Sequence, residues 1–332
     1  MTHLPKLRMG IVGAGIMGRG HAEVLSAHPD VEITAVSRRR LDDAPDAAVF
    51  ADYTDLLSSG TVDAVSITTP DHLHADVMVA AARAGVHILV EKPFTTTVED
   101  ADRAVAAIRQ AGVTAMCLFN HRWVPAYAQA KERMPLVGEP VVGYARKDDT
   151  IHVPTEMIGW ADRTTCAWFL SSHDIDLVTW LYDDHVDEVF ATARYGKLRG
   201  MGIETPDAMQ IQARFGRGAV ATFESAWIYP NTFPTMVDSY VTVVGESGVI
   251  QLDRQKENIQ LATDQAYSYP RNMLQRVVHG VPAGAYRDAI HHFVDCARTG
   301  AQPLITVESS QHVTAVLAAA HESARTGAPV KL

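Results

Sequence analysis

The first 120 residues alternate between short apolar runs and helical segments, and this alternation constrains the fold more than any other feature. The apolar runs are RMGIV, VEITAV, VDAVSI, VHILV and TAMCLF. Two alanine-rich segments, DHLHADVMVAAARAG and TTTVEDADRAVAAIRQAG, separate the later runs, and each ends in glycine, a favourable residue at the end of a helix. The second segment opens with Thr97 and Asp100 at capping-box spacing. Continuous apolar strands that alternate with helices predict a parallel sheet covered on both faces. We therefore predict a doubly wound α/β domain, a Rossmann fold.

The first strand leads directly into GAGIMG, in which Gly13, Gly15 and Gly18 have GxGxxG spacing. The first glycine allows a tight turn, the second lets a pyrophosphate approach the backbone, and the third lets helix and strand pack closely. The start of the helix supplies N–H groups and the positive end of its dipole. The motif alone is a weak signal, because any glycine-rich turn resembles it. Its place in the first βα unit predicts a dinucleotide site at Gly13, Gly15, Ile16, Met17 and Gly18.

The end of the second predicted strand, VEITAVSRRR, indicates which dinucleotide binds. A site that prefers NAD usually has an acidic residue there, which binds the ribose 2′-hydroxyl. This chain has Ser37 and Arg38 at the tip, followed by Arg39 and Arg40. Serine and guanidinium groups bind a 2′-phosphate through charge-assisted hydrogen bonds, whereas a carboxylate repels it. We predict NADP as the cofactor, with NAD as the second candidate and a solvated basic loop as the alternative interpretation.

The charge balance and the cysteine content limit which classes of binding partner the chain can have. The chain has 29 Lys and Arg against 39 Asp and Glu, which argues against a nucleic-acid surface because phosphate binding needs a basic excess. Cys117, Cys166 and Cys296 form no CxxC pair and predict neither a disulfide framework nor a zinc site. No run reaches the ~18–20 apolar residues of a membrane span, and the first residues do not resemble a signal peptide. We expect a cytoplasmic protein without a membrane partner.

The alternation of predicted strands and helices ends at about residue 121. Longer strand-like runs follow one another without intervening helices: PVVGYARKD, EVFATARYG, DAMQIQARFG, AVATFESAWI, SYVTVVGES and VIQLD. Strands grouped in this way favour an antiparallel sheet. MQIQARF alternates with period two, and FGRGAV is typical of a hairpin turn. We predict a Rossmann domain over residues 1–121 and an α+β domain with a large antiparallel sheet over residues 122–332.

Further motifs carry a resemblance to a known family. TTPDHLHA, VHILVEKPF, FNHRW and the closing AAAHESARTGAPVKL, together with GAGIMG, are similar to the glucose–fructose oxidoreductase and inositol dehydrogenase family, called Gfo/Idh/MocA. The resemblance covers nearly the whole chain. It implies a second domain whose large, mostly antiparallel open sheet carries a substrate pocket on one side and often packs on another subunit. A homodimer or homotetramer formed through this sheet is therefore expected.

The resemblance also assigns roles around the EKP motif. It implies that Lys92 reaches into the cleft between nicotinamide and substrate, where its ammonium group can donate to the reacting oxygen; the alternative is a surface lysine beside a turn proline. Glu91 is expected to have a structural role or to bind the cofactor ribose. Thr69, Pro70 and His74 match the segment that lines the cofactor in the family. His74 could equally be a neutral packing histidine.

The stretch SSHDIDLVTW falls where the family has a helix with its second catalytic group. Leu170, His173, Leu177 and Trp180 have helical offsets of 3, 4 and 3, so an α-helix places them on one face. The family pattern is an Asp, three residues, a His, two residues and a second Asp. His173 and Asp176 match its last two positions. This predicts His173 as the acid/base group, with a satisfied core histidine as the alternative.

One position departs from the family pattern. Phe169 stands four residues before His173, where many relatives have a catalytic Asp. Only Lys92 and His173 can therefore be carried over as catalytic residues, with Asp176 or a substrate hydroxyl as the orienting group. Several aromatic rings lie nearby in the sequence and suit the apolar face of a sugar or an aglycone, although some of them belong equally well in a core. The predicted substrate residues are Arg122, Trp123, Trp160, Trp168, Phe169 and Asp176.

Two hypotheses for function follow. The first is an NADP-dependent dehydrogenase or reductase that acts on an alcohol or ketone of a sugar, a glycoside or a cyclitol-like compound. The second is a non-catalytic dinucleotide sensor, since a fold does not dictate a function. The presence of both Lys92 and His173 favours the enzyme. The histidine pairs at 72 and 74 and at 291 and 292 form no ligand set, so no metal is expected.

Overall fold

A computed structural model of the chain describes residues 5–332. The chain forms two compact units. The first consists of the described residues up to Asn120 together with Gln275–Gln311, and the second of His121–Leu274 and His312–Leu332. Residues 275–311, which the sequence-based division placed in the second domain, thus belong to the first compact unit. Residues 1–4, with which the predicted first domain begins, lie outside the described residues.

The first part of the chain alternates between strands and helices. Its elements are β1 (Leu7–Val12), α1 (Ile16–Ser26), β2 (Val31–Ser37), β3 (Ala48–Phe50), α2 (Tyr53–Ser58), β4 (Ala64–Ile67), α3 (His74–Arg83), β5 (His87–Val90), α4 (Val98–Ala111) and β6 (Ala115–Cys117). Helix α4 begins as its sequence predicts: the Thr97 hydroxyl accepts a hydrogen bond from the Asp100 N–H at 3.1 Å. It ends at Gly112, whose φ of 65° is left-handed.

These strands form one parallel sheet in the order β3-β2-β1-β4-β5-β6. The strand order reverses between β1 and β4, the position at which such sheets bind ligands beyond their carboxyl ends. All four residues of β4 are buried, as expected for a strand covered on both faces. The predicted doubly wound α/β domain is confirmed. Strand β3, with the sequence AVF, was not predicted.

The middle of the chain builds the second sheet. Its elements are α5 (Pro125–Val137), β7 (Pro140–Thr150), two π-helical turns (Val153–Met157 and Ala167–Ser171), α6 (Ser172–Tyr182), β8 (Val186–Arg194), α7 (Lys197–Gly200), β9 (Ala208–Phe215), β10 (Val220–Tyr229), β11 (Val237–Gly245), β12 (Val249–Asp253), β13 (Leu261–Ala262) and β14 (Tyr267–Ser268). The last elements are β15 (Arg276–Val278), β16 (Val281–Ala283), α8 (Ala285–Thr299), α9 (Val307–Thr326) and β17 (Val330–Lys331).

The second sheet has seven strands in the order β12-β11-β7-β10-β9-β8-β17. Only β7 and β10 are parallel to each other, and every other neighbouring pair is antiparallel. Strand β9 alternates between buried and less buried residues, so one face of this sheet packs on the unit's helices. The predicted large, mostly antiparallel sheet is confirmed. None of the helices within residues 5–332 has both the length and the apolar content needed to cross a bilayer.

Candidate active site

The glycine loop between β1 and α1 leaves an opening for a ligand at Gly15. A Cβ atom built on Gly13, whose φ is +106°, would lie 2.7 Å from the Thr68 backbone, and one built on Gly18 would lie 2.0 Å from the Gly13 carbonyl oxygen. A Cβ built on Gly15 would meet nothing within 4 Å. No side chain caps α1, and its first turn contains no acidic residue. The loop therefore fits the pyrophosphate of a dinucleotide.

The serine and arginines of the predicted NADP site lie at the carboxyl end of β2. Ser37 pairs with Val12, the last residue of β1, and is buried. Arg38 has a φ of 74°, and its N–H donates to the Phe50 carbonyl at 2.8 Å. The side chains of Arg38 and Arg39 are exposed. The strand pairing places these guanidinium groups at the same sheet edge as the glycine loop.

Glu91 is the centre of a buried hydrogen-bond network in the first unit. Its Oε1 accepts from His21 Nε2 at 3.1 Å and from the Tyr286 hydroxyl at 2.9 Å, while its Oε2 accepts from the Lys92 N–H at 3.1 Å. Ser66 Oγ lies 2.7 Å from His21 Nδ1. Burial alone would raise the pKa of Glu91, but the hydrogen bond and charge of His21 and the charge of Lys92 lower it. These contacts favour the structural role for Glu91.

His74 joins the two predicted cofactor segments to each other. Its Nδ1 lies 2.8 Å from the Pro93 carbonyl oxygen, and its Nε2 lies 2.9 Å from the Thr69 carbonyl oxygen. The ring is buried at the start of α3. These contacts favour the packing role of the two that the sequence allows. Pro70 and Lys92, on the segments that His74 joins, are half-buried.

In the second unit, a π-helical turn precedes the helix that carries His173. The Ser172 N–H donates to the Ala167 carbonyl five residues earlier, and regular α-helix begins only at Ser172. The helical offsets used in the sequence analysis assumed an α-helix on both sides of this point. Because a π turn contains more residues than an α turn, Phe169 does not lie where a continuous α-helix through His173 would place it. Such turns occur frequently at functional sites.

Arg122 and Asp176, both predicted to bind substrate, bind each other. Arg122 Nε donates to Asp176 Oδ2 at 2.9 Å, and its Nη2 donates to Oδ1 at 2.6 Å. Both side chains are buried, and the guanidinium lies 5.5 Å from the centre of the Trp180 ring. Burial raises the pKa of Asp176, and Arg122 opposes this rise. Since both carboxylate oxygens accept from Arg122, a group other than Asp176 is the better candidate for orienting His173.

The structure separates the predicted aromatic residues into two groups. Phe169 and Trp160 are half-buried, with ring centres 6.3 Å apart, and Phe169 also lies 6.2 Å from the buried Trp227 ring. Trp168 is buried and stacks on His321 at 5.1 Å, so it occupies the core, which was its alternative interpretation. Trp123 is half-buried. Phe169 and Trp160 stay the best candidates for an aromatic wall.

A buried group of charged residues beside His173 was missed by the sequence analysis. His121 stacks on His173, with ring centres 4.4 Å apart and planes at 15°. Lys147 Nζ lies 3.1 Å from His121 Nε2 and 3.1 Å from Asp174 Oδ1, and Arg254 Nη1 lies 3.3 Å from His121 Nε2. The sequence feature that could have revealed this group is RKDD at the end of a predicted strand. Four consecutive charged residues are unusual in a strand that packs on a core.

Two family models match the chain. Residues 7–119 match the NAD-binding Rossmann-fold domain of the Gfo/Idh/MocA oxidoreductase family, and residues 138–332 match that family's C-terminal α/β domain.

Curated relatives and solved structures match over nearly the full length. The scyllo-inositol 2-dehydrogenase (NAD(+)) of Bacillus subtilis is 26% identical, with 98% of this chain and 96% of the relative covered. The D-xylose 1-dehydrogenase (NADP(+)) 2 of Haloferax volcanii is 26% identical, with 98% of each chain covered. The crystal structure of GenD2 from gentamicin A biosynthesis in complex with NAD has a TM-score of 0.85 at 22% identity, covering 100% of this chain and 98% of that one. At this identity the structural likeness shows the fold alone.

The Arg122–Asp176 pair predicts a stability effect. Asp176→Asn should lower the free energy of unfolding by about 3 kcal/mol, because it leaves the Arg122 guanidinium buried without its counter-charge. Urea denaturation followed by tryptophan fluorescence measures the change. Asp162→Asn, at an exposed position of the same unit, is the matched control and should stay within ~0.5 kcal/mol of the native protein. Equal losses in the two variants would contradict the prediction.

Proposed function

This chain belongs to the Gfo/Idh/MocA oxidoreductase family, and on that basis we propose that it transfers a hydride between NADP(H) and a carbinol or ketone carbon of a sugar, glycoside or cyclitol-like substrate. The main observation behind the proposal is the geometry of the glycine loop. Gly13 and Gly18 leave no room for a side chain between neighbouring backbone segments, whereas Gly15 borders open space. The relatives support the substrate class, since two of them are named for a cyclitol and a sugar.

Gly13, Gly15, Ile16, Met17 and Gly18 would hold the pyrophosphate. Thr69, Pro70 and His74 would line the cofactor beside them, with Glu91 as their support. NADP is preferred to NAD because exposed arginines follow β2 and no carboxylate occupies its end.

The bound nicotinamide supplies the hydride donor or acceptor. During oxidation of an alcohol, His173 takes the hydroxyl proton, and during reduction it returns that proton. Lys92 donates a hydrogen bond to the reacting oxygen and stabilises negative charge that develops there. Phe169 and Trp160 offer flat apolar surfaces to the substrate. The other proposed substrate residues are Arg122, Trp123, Trp168 and Asp176. Support is weaker for Arg122 and Asp176, which pair with each other, and for Trp168, which lies in the core.

The proposed assembly is a cytoplasmic homodimer or homotetramer formed through the second sheet. Phe190 of β8 and Val220 of β10 are 37% and 44% exposed on that sheet, and the sheet of a second copy would cover these apolar side chains. All three cysteines are buried free thiols, as suits a reducing compartment.

The cofactor preference is the first prediction from this function. The native protein should bind NADP(H) more tightly than NAD(H) by about 1–3 kcal/mol, the range for hydrogen bonds to charged groups. Arg38→Asp should narrow or reverse the difference, and aspartate tolerates the left-handed backbone at this position. Titration of each cofactor by fluorescence measures both effects, with the exposed Arg83→Asp as control. Native protein that binds NAD(H) equally well would contradict the preference.

The catalytic roles give the second prediction. Lys92→Ala and His173→Ala should each lower kcat by about 10²–10⁴-fold, the usual contribution of a proton-transfer group, and leave cofactor affinity nearly unchanged. Absorbance of the reduced nicotinamide gives the turnover, and the exposed Lys197→Ala is the control. Near-native turnover of His173→Ala would make this residue a core histidine. A dinucleotide that binds without turnover on any sugar, cyclitol or glycoside would favour the sensor.

The aromatic wall gives the third prediction. A glycoside should have a higher kcat/KM than its free sugar or myo-inositol. Stacking on an aromatic ring face contributes about 1 kcal/mol, and an apolar wall offers no hydrogen-bond partner to the hydroxyl groups of a small polyol. Phe169→Asp should erode this preference by about tenfold. Phe169→Leu, which keeps the apolar volume without the flat ring, separates stacking from burial. A native preference for free inositol would rule out the aromatic wall.

A further inference from the structure

The two faces of the buried His121 ring have different neighbours. The His173 ring stacks on one side, nearly parallel and 4.4 Å away between ring centres. The Tyr127 ring meets His121 edge-on at 5.5 Å, and Lys147 and Arg254 approach its nitrogens. His121 is 1% exposed, so these side chains and not water determine its state. A histidine that touches the proposed acid/base group in this way is placed to control it.

His121 is held in its neutral form. Lys147 Nζ lies 3.1 Å from Nε2 and 3.4 Å from Nδ1, and Arg254 Nη1 lies 3.3 Å from Nε2. Ammonium and guanidinium groups only donate hydrogen bonds, so Nε2 must be an acceptor. Burial, followed by the charges of Lys147, His173 and Arg254, lowers the pKa of His121 well below its usual value. These contacts disfavour the protonated form of His121.

The cations that face His121 are themselves held in place. Asp174, the residue after His173, lies 3.1 Å from Lys147 Nζ through its Oδ1. Glu257 Oε1 lies 3.6 Å from Arg254 Nε and 3.2 Å from Arg271 Nη2. Each cation thus has a carboxylate, and the cluster does not carry a large excess of either charge. Among the described residues of this unit, the titratable or charged groups around the two rings include Tyr127, Lys147, Asp174, Arg254, Glu257 and Arg271.

The two side chains that the sequence offered near His173 are less suited to orienting it. Both oxygens of Asp176 accept from Arg122. Phe169, at the position of the family's catalytic Asp, has no polar group and lies among Trp160 and Trp227. The stacked His121 ring is therefore the better candidate for orienting His173.

We propose that His121 and Lys147 are the positioning residues of His173, in place of the carboxylate that the family has at position 169. The neutral His121 ring fixes the plane of the His173 imidazole. Lys147, anchored by Asp174, keeps His121 neutral, so that His173 alone gains and loses the proton. This inference rests on the proposed function, because it takes His173 as the acid/base group.

Steady-state kinetics separates the stacking contribution from general packing. His121→Leu removes the stacked ring and should lower kcat by about 10–10²-fold, with KM changed less than about twofold, because misplacement of a catalytic group acts on the chemical step. His121→Phe keeps a flat ring and should retain kcat within about threefold of native. His321→Leu removes another histidine of the same unit, which is half-buried and stacked on a ring, and is the matched control, expected to keep native kcat.

The protonation of His173 is read directly by NMR of protein with isotope-labelled histidine, with the His173 signal assigned from His173→Asn. Lys147→Met removes a nearby positive charge and leaves Asp174 without its counter-ion. Both changes favour protonation of the stacked pair, so its first protonation should move to higher pH by about one unit, and His121 should now share that proton with His173. The acidic limb of kcat/KM for alcohol oxidation should move in the same direction, because the base must be deprotonated. His321→Leu should leave both curves in place.

An unmoved His173 titration in Lys147→Met would overturn the inference, and so would native kcat in His121→Leu. If His121→Leu does not fold, the Lys147→Met titration decides alone. A titration that moves as expected while His173→Ala retains native turnover would leave the coupling of the two rings intact and remove the proposed function. The NMR readout needs neither substrate nor cofactor, so the two failures are distinguishable.

Discussion

Helix α1 lies so close to the strand before it that a single methyl group at Gly18 would come within 2.0 Å of the Gly13 carbonyl oxygen. This close approach brings His21, one turn further along α1, to within hydrogen-bond distance of Glu91. Glu91 in turn accepts from the main chain of Lys92. The backbone contact that opens the phosphate cradle therefore also determines where the EKP segment lies. A larger residue at position 18 would disturb both the cradle and the lysine.

The second unit depends on charge pairing inside its core. Lys147, Asp148 and Asp149 are consecutive residues of β7, and all three are buried. Burial of charges is costly unless partners and hydrogen bonds compensate. Asp148 accepts from the Ala226 N–H at 2.6 Å and from the Tyr229 hydroxyl at 2.9 Å, while Lys147 pairs with Asp174. Burial lowers the pKa of Lys147, and the charge of Asp174 opposes this fall. The main effect of such a network is to hold polar groups near His173 in fixed positions, and its net effect on stability is smaller.

Local patterns in the sequence predicted the parts of the fold that depend on neighbouring residues. Five of the six strands of the parallel sheet, the Thr97 cap and the glycine loop all follow from short-range periodicity or backbone sterics. The π turn at Ala167–Ser171 could not be predicted, because the hydrogen-bond offset of a helix leaves no composition signal. The pairing of Arg122 with Asp176, of Lys147 with Asp174 and of His121 with His173 depends on elements distant in sequence. The sequence thus identified the chemical groups of the candidate site but not which of them are already bound to each other.

The return of residues 275–311 to the first unit has a consequence for synthesis on the ribosome. Helix α8 supplies Tyr286 to Glu91, a partner 195 residues later in the chain. The nascent parallel sheet emerges long before this helix, and its His21–Glu91 pair lacks the tyrosine hydroxyl until translation has passed the whole of residues 121–274. Six of the seven strands of the second sheet can therefore emerge while the first unit still lacks α8, and the second unit in turn waits for β17 at the end of the chain. Neither unit can be complete until its C-terminal segment has been synthesised.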